Sequence, residues 1–340
     1  MSSVADRGLR VLVAGATGFA GALAASILWR HPDFELAAVT ARTQTGRRLD
    51  DVYPRHRVPL ALEQLDLDSE RHGGVDAAVI AYPHGASAPV AAALLERGAR
   101  VLDLSADFRL HDRAVYERWY VAHPHPELLG RAVYGLPELH RQRIAGADLV
   151  ACPGCYPTAV LLALAPLAAA GLIADVVIDA KSGVSGAGRE PTDTTHFVSV
   201  TENVRPYGVG AHRHMPEIDQ ELAALGAPVT AAFTPHLVPL DQGELVSCYV
   251  TPTRAVAQEE LGGIYAARYA GEPFVELAGR PPGMRDVRDT NLCRIGLHAD
   301  ERTGKLFVFA AIDNLWKGTS GQAVQNLNLM FGLDETRGLR

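Results

Sequence analysis

Two patterns of hydrophobic and polar positions divide the chain. In the first half, short unbroken apolar runs at residues 9–14 (LRVLVA), 35–40 (ELAAVT), 76–82 (DAAVIAY), 100–104 (RVLDL) and 148–152 (DLVAC) predict buried strands. Helical spacing at about 20–30 and 87–97 fills two of the intervals. Strand and helix in alternation imply a doubly wound parallel α/β sheet. From about residue 152 the pattern changes. Longer strands are expected at 176–181, 229–238, 244–251, 291–298 and 306–313, with a helix at about 258–269 among them. This implies an α+β domain with a mixed or antiparallel sheet. Residues 320–331 (SGQAVQNLNLMF) return to helical spacing, and the 279–283 stretch GRPPG reads as a loop.

A length of 340 residues fits two domains, and 48% hydrophobic with 21% charged residues is enough to bury a core in each. A net charge of −7 argues against a nucleic-acid partner, which would require a basic surface. Four cysteines are too few for a disulfide scaffold. Asp6, Arg7 and Arg10 leave no apolar signal segment at the N-terminus. Residues 149–174 carry no charge and are long enough to span a bilayer, but Pro153, Gly154, Pro157 and Pro166 interrupt them. A strand, a turn and a buried helix are expected there, in a cytoplasmic protein without a membrane partner.

The segment GATGFAG at 15–21 follows the first strand and opens a helix. Gly15 suits a tight turn, Gly18 close backbone approach to a pyrophosphate, and Gly21 close packing of the helix, with Thr17 between them. An NAD site usually carries an acid at the end of the second strand. Here that strand ends in Thr40, Ala41, Arg42 and Thr43, so the expected cofactor is NADP, with Arg42 on its 2′-phosphate and Thr40 and Thr43 as hydroxyl donors.

In Cys152-Pro-Gly-Cys155-Tyr-Pro157-Thr, Pro157 fits the first turn of a helix. Cys155 is therefore expected at a helix N-terminus, where unpaired N–H groups favour a thiolate nucleophile. A dithiol redox pair, a buried structural thiol and a zinc ligand are the competing readings, and no metal site is expected. Cys248 and Cys293 lie in apolar strand patterns and read as core. His123 and His125, in a proline-containing loop, read as solvated.

With the glycine turn, the segment Val150-Ala-Cys-Pro-Gly-Cys155-Tyr-Pro-Thr158 resembles the N-acetyl-γ-glutamyl-phosphate reductases of arginine biosynthesis, relatives of aspartate-semialdehyde dehydrogenase. So do Ser105-Ala-Asp-Phe-Arg109, Tyr134-Gly-Leu-Pro-Glu138, Lys181-Ser-Gly-Val-Ser-Gly-Ala-Gly-Arg189, His212-Arg-His214-Met-Pro-Glu217 and Asp313-Asn-Leu-Trp-Lys-Gly318. The resemblance implies a Rossmann dinucleotide domain joined to a catalytic and oligomerisation domain of the glyceraldehyde-3-phosphate dehydrogenase type. It places residues 1–154 plus about 315–340 in the first and 155–314 in the second, in a homodimer or homotetramer.

The implied reaction reduces a small acyl-phosphate substrate with NADPH through a Cys155 thioester. His214 is favoured over His212 as the acid/base; on an extended segment the two would point the same way. Arg109, which follows a parallel strand, is expected to grip the phosphate. Ser182 is expected at the substrate, Ser185 and Gly186 at substrate or nicotinamide, and Asn314 at the nicotinamide amide. Aspartate-semialdehyde dehydrogenase and the lysine-pathway aminoadipyl-phosphate reductase share this chemistry. A non-catalytic NADP-binding redox sensor using Cys152 and Cys155 is a different class.

Overall fold

A computed structural model describes residues 8–339, so Asp6 and Arg7 lie outside the described residues. The chain separates into two units, one formed by residues up to Pro153 together with those from Thr319, the other by Gly154–Gly318.

The first unit is built on β1 (Leu9–Ala14), β2 (Phe34–Thr40), β3 (Leu62–Glu63), β4 (Ala77–Ile80), β5 (Arg100–Asp103), β6 (Val133–Tyr134) and β7 (Leu149–Ala151). They form one sheet in the order β3-β2-β1-β4-β5-β7-β6, and every pair is parallel. The order reverses between β1 and β4, the switch point at which such sheets bind ligands. β4 is apolar at every position because helices must cover both faces of a parallel sheet. The short β3 and β6, with two residues each, were not expected; two residues carry no legible periodicity. The helix Gly321–Met330 packs within this unit on the helices Phe19–Trp29 and Pro137–Ala145. Two of its buried amides donate there: Gln325 Nε2 to Glu335 at 2.9 Å and Asn326 Nδ2 to the Gly135 carbonyl at 2.8 Å.

The second unit carries β8 (Ile173–Ser182), β9 (Arg205–Pro206), β10 (Ala232–Leu237), β11 (Glu244–Pro252), β12 (Val275–Ala278), β13 (Cys293–Asp300) and β14 (Lys305–Ile312). The sheet is mixed, in the order β12-β13-β14-β11-β8-β10-β9, with β11 antiparallel to both its neighbours. The helix Cys155–Ala169 lies on β11 and β14 and is buried from Tyr156 to Ala168. The uncharged stretch 149–174 is thus strand, turn and buried helix. No helix among the described residues is long and apolar enough to cross a membrane. Cys248 and Cys293 are fully buried in strands. The segment holding the two histidines is not extended, contrary to expectation: it turns into a helix, Met215–Ala224, with His214 as its N-cap in helical conformation. His123 is likewise not solvated. It is buried, with Nε2 2.6 Å from the Asp107 carbonyl.

Candidate active site

In the first unit, β1 runs into a turn whose glycines answer to different demands. Gly15 has φ +91°, and a Cβ there would stand 2.5 Å from the Ala81 carbonyl oxygen. At Gly21 a Cβ would fall 2.3 Å from the Gly15 carbonyl oxygen, so helix and turn touch backbone to backbone. Gly18 differs: a Cβ there would meet only the Gly15 oxygen, at 3.7 Å. No protein atom crowds a side chain at 18. The N–H groups of the helix Phe19–Trp29 that begin at this point have no side-chain cap. The Thr40 carbonyl receives the Gly15 and Ala16 N–H groups at 2.9 Å each, and Tyr53 Oη donates to the Thr17 carbonyl at 2.8 Å.

The Thr40 side chain is buried, whereas Arg42 and Thr43 are exposed. Arg42 forms no ion pair with any described residue. Tyr82 lies beside the same turn, its Cδ1 3.1 Å from where a Gly15 Cβ would be, and its hydroxyl feels both Thr40 and Arg42. Sequence reasoning missed it, because a lone tyrosine after a strand carries no signal.

Ser105, Asp107 and Arg109 prove to be a buried network. Asp107 accepts the Gly85 and Ala88 N–H groups at 2.7 and 3.0 Å and the Tyr116 hydroxyl at 2.8 Å. Ser105 and Ser87 donate to Asp103, whose carboxyl burial pushes up to about 6. Arg109 Nε donates to the Cys152 carbonyl at 2.7 Å and Nη2 to the Leu104 carbonyl at 2.8 Å. Its guanidinium thereby ties the end of β7 to the end of β5. Cys152 is buried, its sulfur 3.7 Å from the Thr319 carbonyl oxygen and 3.8 Å from Asn326 Nδ2. None of the four cysteines is in a disulfide.

In the second unit Cys155 is the first residue of its helix, with Gly154 as N-cap. Gly154 donates its N–H to Glu217 Oε1 at 2.9 Å, and Thr158 Oγ1 returns a bond to the Gly154 carbonyl at 3.0 Å. Glu217, which the sequence shows only as part of a motif, holds the turn beneath the cysteine. His214 lies flat against that turn, so a Cβ on Gly154 would be 2.4 Å from His214 Nε2. Gly318 closes the other side, where a Cβ would stand 2.9 Å from the Cys155 Cβ.

His212 and His214 are brought together, ring centroids 4.8 Å apart, and the Tyr156 ring meets both edge-on. The His214 backbone N–H donates to His212 Nδ1 at 3.1 Å, which requires that nitrogen to be unprotonated. Burial, helped by the Arg213 charge, pushes His212 down to about 4, so it is neutral at physiological pH. Tyr207 Oη donates to Tyr156 Oη at 3.3 Å, and burial drives both phenols up.

Ser182 ends β8 and donates to the Gly183 carbonyl at 3.1 Å. Asn314 Nδ2 donates to Ser185 Oγ at 3.0 Å, while its Oδ1 accepts the Gly243 N–H at 2.7 Å. A Cβ on Gly186 would be 3.1 Å from Ser182 Oγ and 3.7 Å from Asn314 Nδ2. The structure thus brings Asn314 onto the turn that carries Ser182, Ser185 and Gly186. Among the described residues no group of three or more His, Cys, Asp or Glu side chains is arranged to hold a metal ion.

Residues 10–147 match the family model described as semialdehyde dehydrogenase, NAD binding domain, and 155–314 that described as semialdehyde dehydrogenase, dimerisation domain. The chain is 51% identical to an N-acetyl-gamma-glutamyl-phosphate reductase of Desulforudis audaxviator, over 97% of this chain and 98% of that one. It is 50% identical to the enzyme of that name from Moorella thermoacetica, over 96% of each. Among solved structures, aspartate semialdehyde dehydrogenase with NADP from Candida albicans superposes with a TM-score of 0.71 at 14% identity, over 95% of this chain and 98% of that one, a likeness of fold.

Proposed function

Because this chain belongs to the N-acetyl-gamma-glutamyl-phosphate reductase family, we propose that it reduces N-acetyl-γ-glutamyl phosphate to the semialdehyde, releasing phosphate, through a thioester on Cys155. The observation that carries the reading is Cys155 at the first position of a buried helix, with His214 against the preceding glycine. Helix N–H groups and the positive dipole end favour its thiolate. The sulfur attacks the γ-carbonyl carbon, the bond from that carbon to the phosphate oxygen breaks, and phosphate departs. The dinucleotide, when bound, supplies the hydride that reduces the acyl carbon. His214 holds a proton at the carbonyl oxygen as charge develops there and takes it back as the carbon–sulfur bond breaks. Cysteine suits both halves, being nucleophilic near neutral pH and then a competent leaving group.

We assign the dinucleotide to the turn at Gly15, Thr17, Gly18 and Gly21. The room left at Gly18 beside uncapped N–H groups is what a pyrophosphate requires. NADP is preferred over NAD: β2 ends without an acid, and the exposed Arg42 forms no ion pair with a described residue that would compete with a 2′-phosphate. Thr43 is placed to assist. Thr40 contributes its carbonyl to the turn, and its buried hydroxyl meets Tyr82. Arg109 positions the Cys152 carbonyl; the phosphate contact expected of it is tested by Arg109→Lys, which keeps the charge and loses the fork. The turn at Ser182, Ser185 and Gly186, with Asn314 bonded to it, is assigned to substrate and nicotinamide.

Assembly as a homodimer or homotetramer is supported by the dimerisation-domain match and by a half-exposed row across the second sheet. Val177 pairs with Tyr249, Tyr249 with Phe307, and Phe307 with His298. Cysteines without disulfides suit the cytoplasm, where we place the reaction. The test is phosphate-dependent oxidation of N-acetylglutamate semialdehyde and of aspartate semialdehyde, each with NADP and with NAD. Turnover of the acetylated substrate with NADP is expected. A preference for aspartate semialdehyde would move the substrate assignment, and a preference for NAD would remove Arg42 from the 2′-phosphate.

A further inference from the structure

One acid beside the nucleophile has no part in the reaction described so far. Glu244 is the first residue of β11 and is fully buried. In the ladders it stands opposite Ser182 on β8 and Ile312 on β14. Directly paired antiparallel residues share a face of the sheet. The helix that begins with Cys155 lies on the same two strands, β11 and β14. A Cβ on Gly318 would touch the Cys155 Cβ at 2.9 Å and Ile312 Cδ1 at 3.3 Å, so Cys155 and the neighbour of Glu244 close on one glycine.

Neither carboxyl oxygen of Glu244 has a partner meeting hydrogen-bond geometry. Burial, the largest influence, pushes the carboxyl up to about 8; interaction with the Cys155 thiol pulls it down, and the negative Asp313 adds to the rise. The other ionisable groups facing this pair are the Tyr156 and Tyr207 phenols, and burial keeps both protonated. His212 and His214 stand behind Tyr156 and Gly154. Among the described residues no cation offsets this rise. A buried carboxyl in such company is held neutral, with an O–H to donate.

We propose that Glu244 is a positioning residue for the nucleophile: as a neutral acid it donates its O–H to the Cys155 sulfur, holding the thiolate charged and aimed. This rests on Cys155 being the nucleophile. The pair keeps one proton between them. On the oxygen, the sulfur is a reactive thiolate; moved to the sulfur, the same proton leaves a carboxylate and an inert thiol. Removing it sets two like charges together in a buried place, so the groups titrate as a unit.

The test alkylates Cys155 with iodoacetamide from about pH 5 to 10, scored by peptide mass, in wild type, Glu244→Gln and Glu244→Leu. Gln keeps a donor and cannot ionise; Leu keeps neither property. The Gln variant should react about tenfold faster than the Leu variant at neutral pH and titrate in one step, whereas wild type shows two. Superimposable Gln and Leu profiles would overturn the proposal. If a variant does not fold, the ultraviolet thiolate titration of wild type minus Cys155→Ser decides: two coupled steps are expected, and one simple step overturns it. Alkylation is scored on the sulfur and not on turnover. Turnover surviving in Cys155→Ala therefore sinks the covalent reading, while superimposed profiles with that variant inactive sink only the role of Glu244.

Discussion

Gly154 and His214 show how little room the surroundings of Cys155 allow. With a Cβ at 154 standing 2.4 Å from His214 Nε2, Gly154→Ala must move the imidazole or the turn that starts the helix. A displacement of that size at an acid/base group costs about a hundredfold in rate. The expected result is a fall of about that size in kcat with NADP binding retained, measured by steady-state kinetics and cofactor titration. Unchanged kcat would remove His214 from the chemistry. Cys155 was legible in the sequence because proline and glycine mark a helix start, which needs only neighbours along the chain. Glu244 was not, since its place beside Cys155 depends on which strands pair and in what register. The neutral state of His212 was hidden for the same reason, as its burial is a tertiary property.

The helix Cys155–Ala169 contains Pro166, which has no N–H for the carbonyl four residues earlier. That carbonyl belongs to Leu162, and Tyr269 Oη donates to it at 2.5 Å; Tyr265 Oη donates to the adjacent Ala163 carbonyl at 2.5 Å. Tyr269, just past the end of the helix Gln258–Arg268, thus supplies the donor that Pro166 lacks. Tyr269→Phe would leave a buried carbonyl unsatisfied and should destabilise the protein by about 1–3 kcal/mol, read by chemical denaturation; a change within error would show the repair to be unimportant. Strands of six or more residues and the helices Phe19–Trp29, Ala88–Glu96, Cys155–Ala169, Gln258–Arg268 and Gly321–Met330 were readable to within a few residues because periodicity averages over their length, whereas Arg113–Trp119 and Pro137–Ala145 were not. The helix Met215–Ala224 went unread although its signals were present: Pro216 and Glu217 at its start, and Ile218 and Leu222 one turn apart. The histidines before it invited an extended reading.

For the molecule as a whole, the change from alternating elements to long strands near residue 152 marks the passage from one unit to the other. That the residues from Thr319 belong with the first unit has no local signature. It follows from side chains such as Gln325 and Asn326, which look like surface polar residues in sequence and are buried donors in the fold. The half-exposed rings of Tyr249 and Phe307, centroids 5.4 Å apart, are the surface on which assembly is expected. Tyr249→Arg combined with Phe307→Arg should lower the mass found by sedimentation to that of a single chain. Retention of the assembled mass would place the interface elsewhere.

The covalent route through Cys155 is tested most directly by intact-mass spectrometry of the protein mixed with N-acetyl-γ-glutamyl phosphate in the absence of a reduced dinucleotide. The account predicts one added acetylglutamyl group per chain, mapped to Cys155, lost on addition of NADPH and never formed by Cys155→Ala. Turnover by Cys155→Ala, or an adduct mapped to another residue, would contradict it.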